Sequence, residues 1–205
     1  MNKSICALAH KSGTSREAFQ SYYEEHHVPL AIGFFPFSAY ARNHVVDDSG
    51  FGWDTISEFW AEDIGATAAL MNGPIGETMA ADEERFMNRS LIAPASSEEI
   101  ILSPGAPAQA DGSRTALLVE GPAQGGDWRA AVLDWAGALA RDHEGVSVDF
   151  TSAWSELAFP APAVIWLPGW HEQCAVPHDL SALALLVRRA ETPASNLLGN
   201  RAPSI

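Results

Sequence analysis

Near the middle of the chain, Ser103–Ser113 reads SPGAPAQADGS, rich in Pro, Gly and Ala and without apolar periodicity. Such a stretch is a connector rather than an element. What lies on either side of it reads alike. On the N-terminal side, Ser4–His10 is a short apolar strand, and Ser15 caps a helix that runs to the His26-His27 pair and ends at Val28-Pro29. Ser38–Val46 alternates as a strand, DDSGFG is a turn, and Thr55–Trp60 is a third strand. Asp63 caps a second helix ending at Gly73-Pro74, an acidic helix spans Glu77–Asn88, and a fourth strand lies near Glu99–Leu102. Beyond the connector, Thr115–Glu120 is a strand, and Asp127 caps a helix with Trp128, Val132, Trp135 and Leu139 on one face. Val146–Phe150, Val164–Leu167 and Leu183–Arg189 are further strands, while GWHEQCAVPHDLS, broken by Pro177, stands where a second helix would be.

The order β-α-β-β-α-β is that of a ferredoxin-like unit. A four-stranded sheet with helices on one face leaves the other face apolar and open. Two such units in one chain can bury those faces together. The expected fold class is therefore α+β, with two tandem units, the second a worn copy, pairing into an intramolecular α+β barrel around a lumen suited to a small molecule. The expected boundaries are 1–102, a linker at 103–113, 114–192 and a tail at 193–205.

The 205 residues are 47% hydrophobic, enough for one large core or two small ones. Asp and Glu number 26 against 12 Lys and Arg, a formal net charge of −14 that repels nucleic acid and anionic membranes. No window is apolar enough to span a membrane, and the apolar run at the start breaks at His10. With only Cys6 and Cys174, in no metal-type or redox pair, a cytoplasmic protein with reduced thiols is expected. Nucleotide, P-loop, serine-hydrolase and zinc-protease motifs are all missing, so no cofactor and no metal are expected.

Four pieces in order, F-x-x-Y-Y-x-x-H-H-x-P-L-A from Phe19 to Ala31, Tyr40-x-Arg42-Asn43-His44, Asp54-x-Ile56-x-Glu58-Phe59-Trp60 and Asp82-Glu83-x-x-Phe86, resemble the EthD-type branch of the dimeric α+β barrel superfamily. The resemblance covers roughly residues 1–102. It implies a ferredoxin-like unit that normally pairs between two identical chains, with the tandem copy here supplying the partner. It further implies cofactor-free acid/base chemistry (dehydratase, decarboxylase, isomerase or monooxygenase) on a small aromatic or polyketide-like molecule. Haem-degrading and peroxidase branches exist, and EthD-type proteins are often accessory proteins.

His27 matches the histidine of the H-x-P-L motif and is the candidate acid or base. Its bland counterpart is a charge at a helix C-terminus. Tyr40, Arg42 and His44 share a strand face. If that face lines the lumen, they offer a phenol, a cation and a second imidazole for developing negative charge; otherwise the face is simply wet. Glu58 lies between Ile56 and Trp60, where burial would raise its pKa unless Arg42 pairs with it across neighbouring strands. Asp82 and Glu83, in a helix rich in acids, are read as a solvated face, and His143 as a worn counterpart of His27. His171, Cys174 and His178 have metal-like spacing but are read as a loop. The apolar GFFPF, Gly33–Phe37, is a candidate pocket lip. The expected partner is a small-molecule substrate. The chain is expected to be a monomer with an internal pseudo-dimer, its acidic, Trp-rich surface permitting a homodimer, and the alternative function is a non-catalytic small-molecule binder.

Overall fold

The computed structural model describes residues 2–46, 50–121, 127–171 and 174–200. Parts of the expected DDSGFG turn, the GWHEQCAVPHDLS segment and the tail lie outside the described residues. The fold is mixed α+β, and its eight strands form one closed barrel. The strands are β1 (Asn2–Leu8), β2 (Ala39–Val45), β3 (Thr55–Ala61), β4 (Ala93–Ile101), β5 (Ser113–Val119), β6 (Ser147–Ala153), β7 (Ala163–Pro168) and β8 (Ala182–Glu191). Their order around the barrel is β1-β3-β2-β8-β5-β7-β6-β4, and every neighbouring pair is antiparallel. The first four strands thus lie as 4-1-3-2 and the last four repeat the pattern as 8-5-7-6. Two seams join them, β2 to β8 with Val45 opposite Val187, and β4 to β6 with Ala95 opposite Ala153.

Helices cover the outside. On the N-terminal side they are α1 (Arg16–Tyr22), α2 (Val28–Phe34), α3 (Ile64–Ala69) and α4 (Pro74–Phe86); on the C-terminal side, among the described residues, α5 (Trp128–Asp142) covers the sheet. Ser15 caps α1 by accepting from the Ala18 N–H at 3.2 Å, and Asp63 caps α3 through the Ala66 N–H at 2.9 Å. Asp127 occupies the N-cap of α5 without a side-chain bond to it.

Several local expectations need correction. The first helix does not stop at Val28-Pro29. A π-helical turn over Tyr23–His27, in which the Val28 N–H reaches back to the Tyr23 carbonyl, joins α1 to α2. Its wider ring accommodates Pro29, which has no N–H and would collide with the carbonyl of a regular α-turn. Gly73 ends the helical stretch that runs on from α3 through a 3-10 turn over Leu70–Asn72, as expected, and the Gly73-Pro74 pair also starts α4, with Pro74 in the first turn, where the missing N–H costs nothing. Strand β4 starts at Ala93, well before Glu99, because both β1 and β6 pair with it.

The lumen also differs from expectation, being packed with side chains. Part of it is apolar, built from Ile56, Ala95, Leu118, Trp166, Leu185 and their neighbours. The rest is an ionic core. Lys3 Nζ lies 2.8 Å from Glu58 Oε2 and 2.7 Å from both Glu99 Oε1 and Asp149 Oδ2, while Arg114 Nη1 meets Glu58 Oε1 at 2.6 Å and Arg189 joins it there. Asn43 also donates to Glu58, and the Trp166 indole N–H to Asp149. Lys3 and Glu58 belong to the first four strands, and Asp149, Arg114 and Arg189 to the last four, so these pairs tie one set to the other. A recess of about 210 Å³ remains at this end, lined by Glu58, Trp60, Arg114 and Arg189 among others.

Candidate active site

The alternation of β2 places Tyr40, Arg42 and His44 together, as expected, but on the outer face under the helices rather than in the lumen. The register settles this: Ala41 pairs with Glu58 and Arg42 with Ser57. Residues paired across an antiparallel ladder point to the same side. Glu58 therefore faces inward and the three β2 candidates outward. The proposed Glu58–Arg42 bridge does not form. Burial works to raise the Glu58 pKa, but Arg114, Lys3 and Arg189 hold it well below the carboxylate range, opposite to the expected direction.

Between the outer face of β1, β3 and β2 and the layer made by α1, the π-turn, α2, α3 and α4 lies a pocket of about 180 Å³. His27 forms part of its wall. The imidazole is 6% exposed and stacks on Tyr23, with ring centroids 4.9 Å apart and planes at 21°. Because the helix continues to Phe34, His27 is not at a helix C-terminus, and that bland account of it fails. Its Nδ1 donates to Asp82 Oδ2 at 2.9 Å, and the other carboxylate oxygen, Oδ1, accepts from Tyr22 Oη at 2.8 Å. Asp82 thereby fixes the ring and its tautomer, leaving Nε2 as the nitrogen able to exchange a proton with a ligand. Burial pushes the His27 pKa below the ordinary imidazole value, and the nearby Asp82 and Glu83 offset this only in part.

Asp82 and Glu83, expected on a solvated face, are 8% and 7% exposed. Glu83 lines the pocket and accepts from Arg89 Nε at 3.1 Å. The clue was their place in D-E-x-x-F: with Phe86 turned into the core, the residues a turn earlier on the same helix face turn inward too.

Tyr40 lines the pocket and is fully buried. Its hydroxyl lies 2.8 Å from Tyr23 Oη, which lies 2.9 Å from Ser57 Oγ. Burial drives both phenol pKa values up, so these groups stay protonated and act as hydrogen-bond donors. Cys6 is another wall residue, its thiol pushed up to about 12 by burial, with Glu83 adding to the shift. The remaining wall is mainly apolar, with Phe35 and Phe37 from the expected lip joined by Phe59, Met79 and Met87.

Arg42 and His44 sit outside this wall, bound to Glu24 of the π-turn. Arg42 forks onto Glu24 with Nε at 2.8 Å and Nη2 at 2.5 Å, and donates from Nη1 to Thr192 Oγ1 at 2.7 Å. His44 spans Glu24 Oε1 and Thr55 Oγ1, each at 2.7 Å. Although burial opposes it, these partners hold Glu24 down at about 2. Their shared carboxylate fastens the π-turn to β2 and so positions His27.

Other candidates fall away from the pocket. His26 is exposed and leans on Tyr22. His143 follows α5 and meets His171 edge to face at 4.7 Å, while the His178 side chain is 99% exposed. Among the described residues, the potential metal ligands that converge are Glu58, Glu99 and Asp149, and Lys3 already occupies the space between them.

The chain is similar in fold to several solved structures. A candidate monooxygenase from Lactobacillus acidophilus NCFM is 12% identical with a TM-score of 0.54, over 94% of this chain and 96% of that one. A candidate monooxygenase from Fusobacterium nucleatum is 9% identical with a TM-score of 0.55, over 92% and 91%. A candidate chlorite dismutase is 11% identical with a TM-score of 0.51, over 97% of each chain. No curated protein matches by sequence. Residues 11–90, which hold His27, Asp82 and most of the pocket wall, match the family model of the EthD domain.

Proposed function

We propose that the protein is a cofactor-independent enzyme of EthD type that moves a proton to or from a small aromatic molecule held between the helices and the outer sheet face. The observation that carries this reading is the buried His27–Asp82 pair in the wall of an otherwise apolar pocket. An orienting carboxylate costs a buried imidazole no freedom it needs and leaves Nε2 directed to the substrate. As base, Nε2 takes the proton of a hydroxyl or an acidic C–H; the electron pair stays on the substrate as phenolate or enolate oxygen. Tyr40, with Tyr23 and Ser57 behind it, donates toward that oxygen. Arg42 and His44 act through Glu24, and Glu58 serves the barrel interior rather than the reaction. The class comprises dehydration, decarboxylation, isomerisation and oxygenation that starts from such a deprotonation.

We read the two strand quartets, with their matching 4-1-3-2 and 8-5-7-6 orders, as tandem ferredoxin-like units with boundaries near 102 and 114, the second with no helix among the described residues between β7 and β8. In this reading one chain supplies both halves of the barrel.

Haem does not fit this site. The pocket's 180 Å³ is suited to about one ring, far short of a porphyrin, and Asp82 with Tyr23 fixes His27 in the wall. A purely binding role is separated from catalysis by turnover. Across a panel of hydroxyaromatic compounds, the wild-type protein converts at least one, and His27→Ala slows that conversion about a hundredfold or more with the fold intact. Undiminished turnover in His27→Ala overturns the assignment.

A further inference from the structure

The pocket wall is built almost wholly from the first half of the chain. Among the described residues lining it, Trp154 alone comes from beyond residue 101. It follows directly on β6, where the seam with β4 fixes it: Ala153 pairs with Ala95, and the Trp154 N–H donates to the Pro94 carbonyl at 3.4 Å. Pro94 and its neighbour Ile92 line the same pocket. Trp154 is 42% exposed, so a side chain that forms part of the wall also stands in solvent, which is the position of a residue at the pocket mouth.

Resting on the reading of this pocket as the substrate site, we propose that Trp154 is a specificity-determining residue, an aromatic cover contributed by the second half that selects a ligand with a single planar ring. Size and chemistry agree. An apolar cavity of ~150 Å³ holds one benzene, and about 180 Å³ adds room for a small substituent. Tyr23, Phe35, Phe37, Tyr40 and Phe59 already supply aromatic surfaces. Trp154 supplies a further one at the open end, where a flat ring gains from stacking and a puckered ring of equal size does not. The β4–β6 seam then has a functional consequence, since it brings the cover onto the pocket.

Calorimetric titration of the full chain with phenol, and with cyclohexanol as the non-aromatic match, tests this. Wild-type protein is expected to bind phenol more tightly. Trp154→Ala should weaken phenol binding by about two- to tenfold while leaving cyclohexanol within error, and Trp154→Phe should restore most of the loss. The melting temperature should stay put, because the side chain is substantially exposed. Equal losses for both ligands would reduce Trp154 to mere covering area; unchanged phenol binding in Trp154→Ala, or no phenol binding by the wild type, would overturn the proposal outright. Repeating the titration in a His27→Ala background separates it from the proposed reaction. The Trp154 effect should persist there, so loss of the catalytic assignment and loss of the cover are different results.

Discussion

The two outer faces of the barrel share a strand order and little else. Beneath the N-terminal helices, the sheet presents Ser4, Cys6, Ser57, Tyr40, Arg42 and His44, and a pocket remains between sheet and helices. Beneath α5, corresponding strands present Leu117, Val119, Val148, Phe150, Ile165 and Leu167, which pack against Val132, Trp135 and Ala136. On the second face α5 packs directly on the sheet, because the surface it covers is apolar. The first face needs more helices, and a π-turn within one of them, because it holds titratable groups whose partners must be supplied. The difference teaches that closing the barrel asks only for two sheets, whereas the pocket and the buried groups of the proposed site belong to one face.

The barrel interior, common to both halves, should be most sensitive. Glu58→Ala leaves Lys3, Arg114 and Arg189 short of a counter-charge in a buried site. Breaking such an ion pair costs about 3–5 kcal/mol, to be read by denaturant unfolding. If the interior ions only fill space, the loss will be within a few tenths of that of a surface substitution.

Next in size is the effect that divides the faces. His27→Ala should lower turnover about a hundredfold or more, equivalent to at least ~2.7 kcal/mol in the barrier, without a matching loss of stability. Asp82→Asn should also reduce turnover, by less, since the ring keeps a hydrogen-bond partner but loses the charge that supports the imidazolium. On the opposite face, Ile165→Val should cost about 0.5–1.5 kcal/mol of stability and leave turnover alone. A drop in turnover there would erase the distinction between the faces.

The smallest effect is in pH. Burial lowers the folded-state pKa of His27. The unfolded chain, with an ordinary imidazole near ~6.5, therefore takes up a proton that the folded chain refuses, so this residue's contribution makes stability fall as pH drops through that range. Above it, both states are neutral and the contribution vanishes. Subtracting the stability–pH profile of His27→Gln from that of wild type isolates the component, whose sign should be destabilising on the acid side.

Much of the architecture was legible from the chain because strands and turns carry local signals. The alternation over Ser38–Val46, the Ser15 and Asp63 caps and the connector at Ser103–Ser113 all mark local structure. What alternation could not say is which face was inward. β2 is buried on both sides, so Tyr40 and Val45 look equally like core residues, and only pairing with β3 decides. Pro29 misleads for a related reason: a proline ends an α-helix by local rules, but the packing of Tyr23 and His27 against Phe86 supports a π-turn that carries the chain past it. Asp82 gives no local signal because acids crowd its helix, and its hydrogen bond is to a partner 55 residues away.

The central claim is that His27, held by Asp82, meets ligand in the outer pocket rather than in the barrel interior. Nitrogen-15 NMR of the histidine side chains during titration with phenol tests it directly. The account predicts a neutral His27 protonated on Nδ1, with its Nε2 resonance moving as phenol binds and the Trp166 indole N–H in the interior unmoved. A stationary His27 alongside a shifting Trp166 would place the ligand inside the barrel and contradict the account.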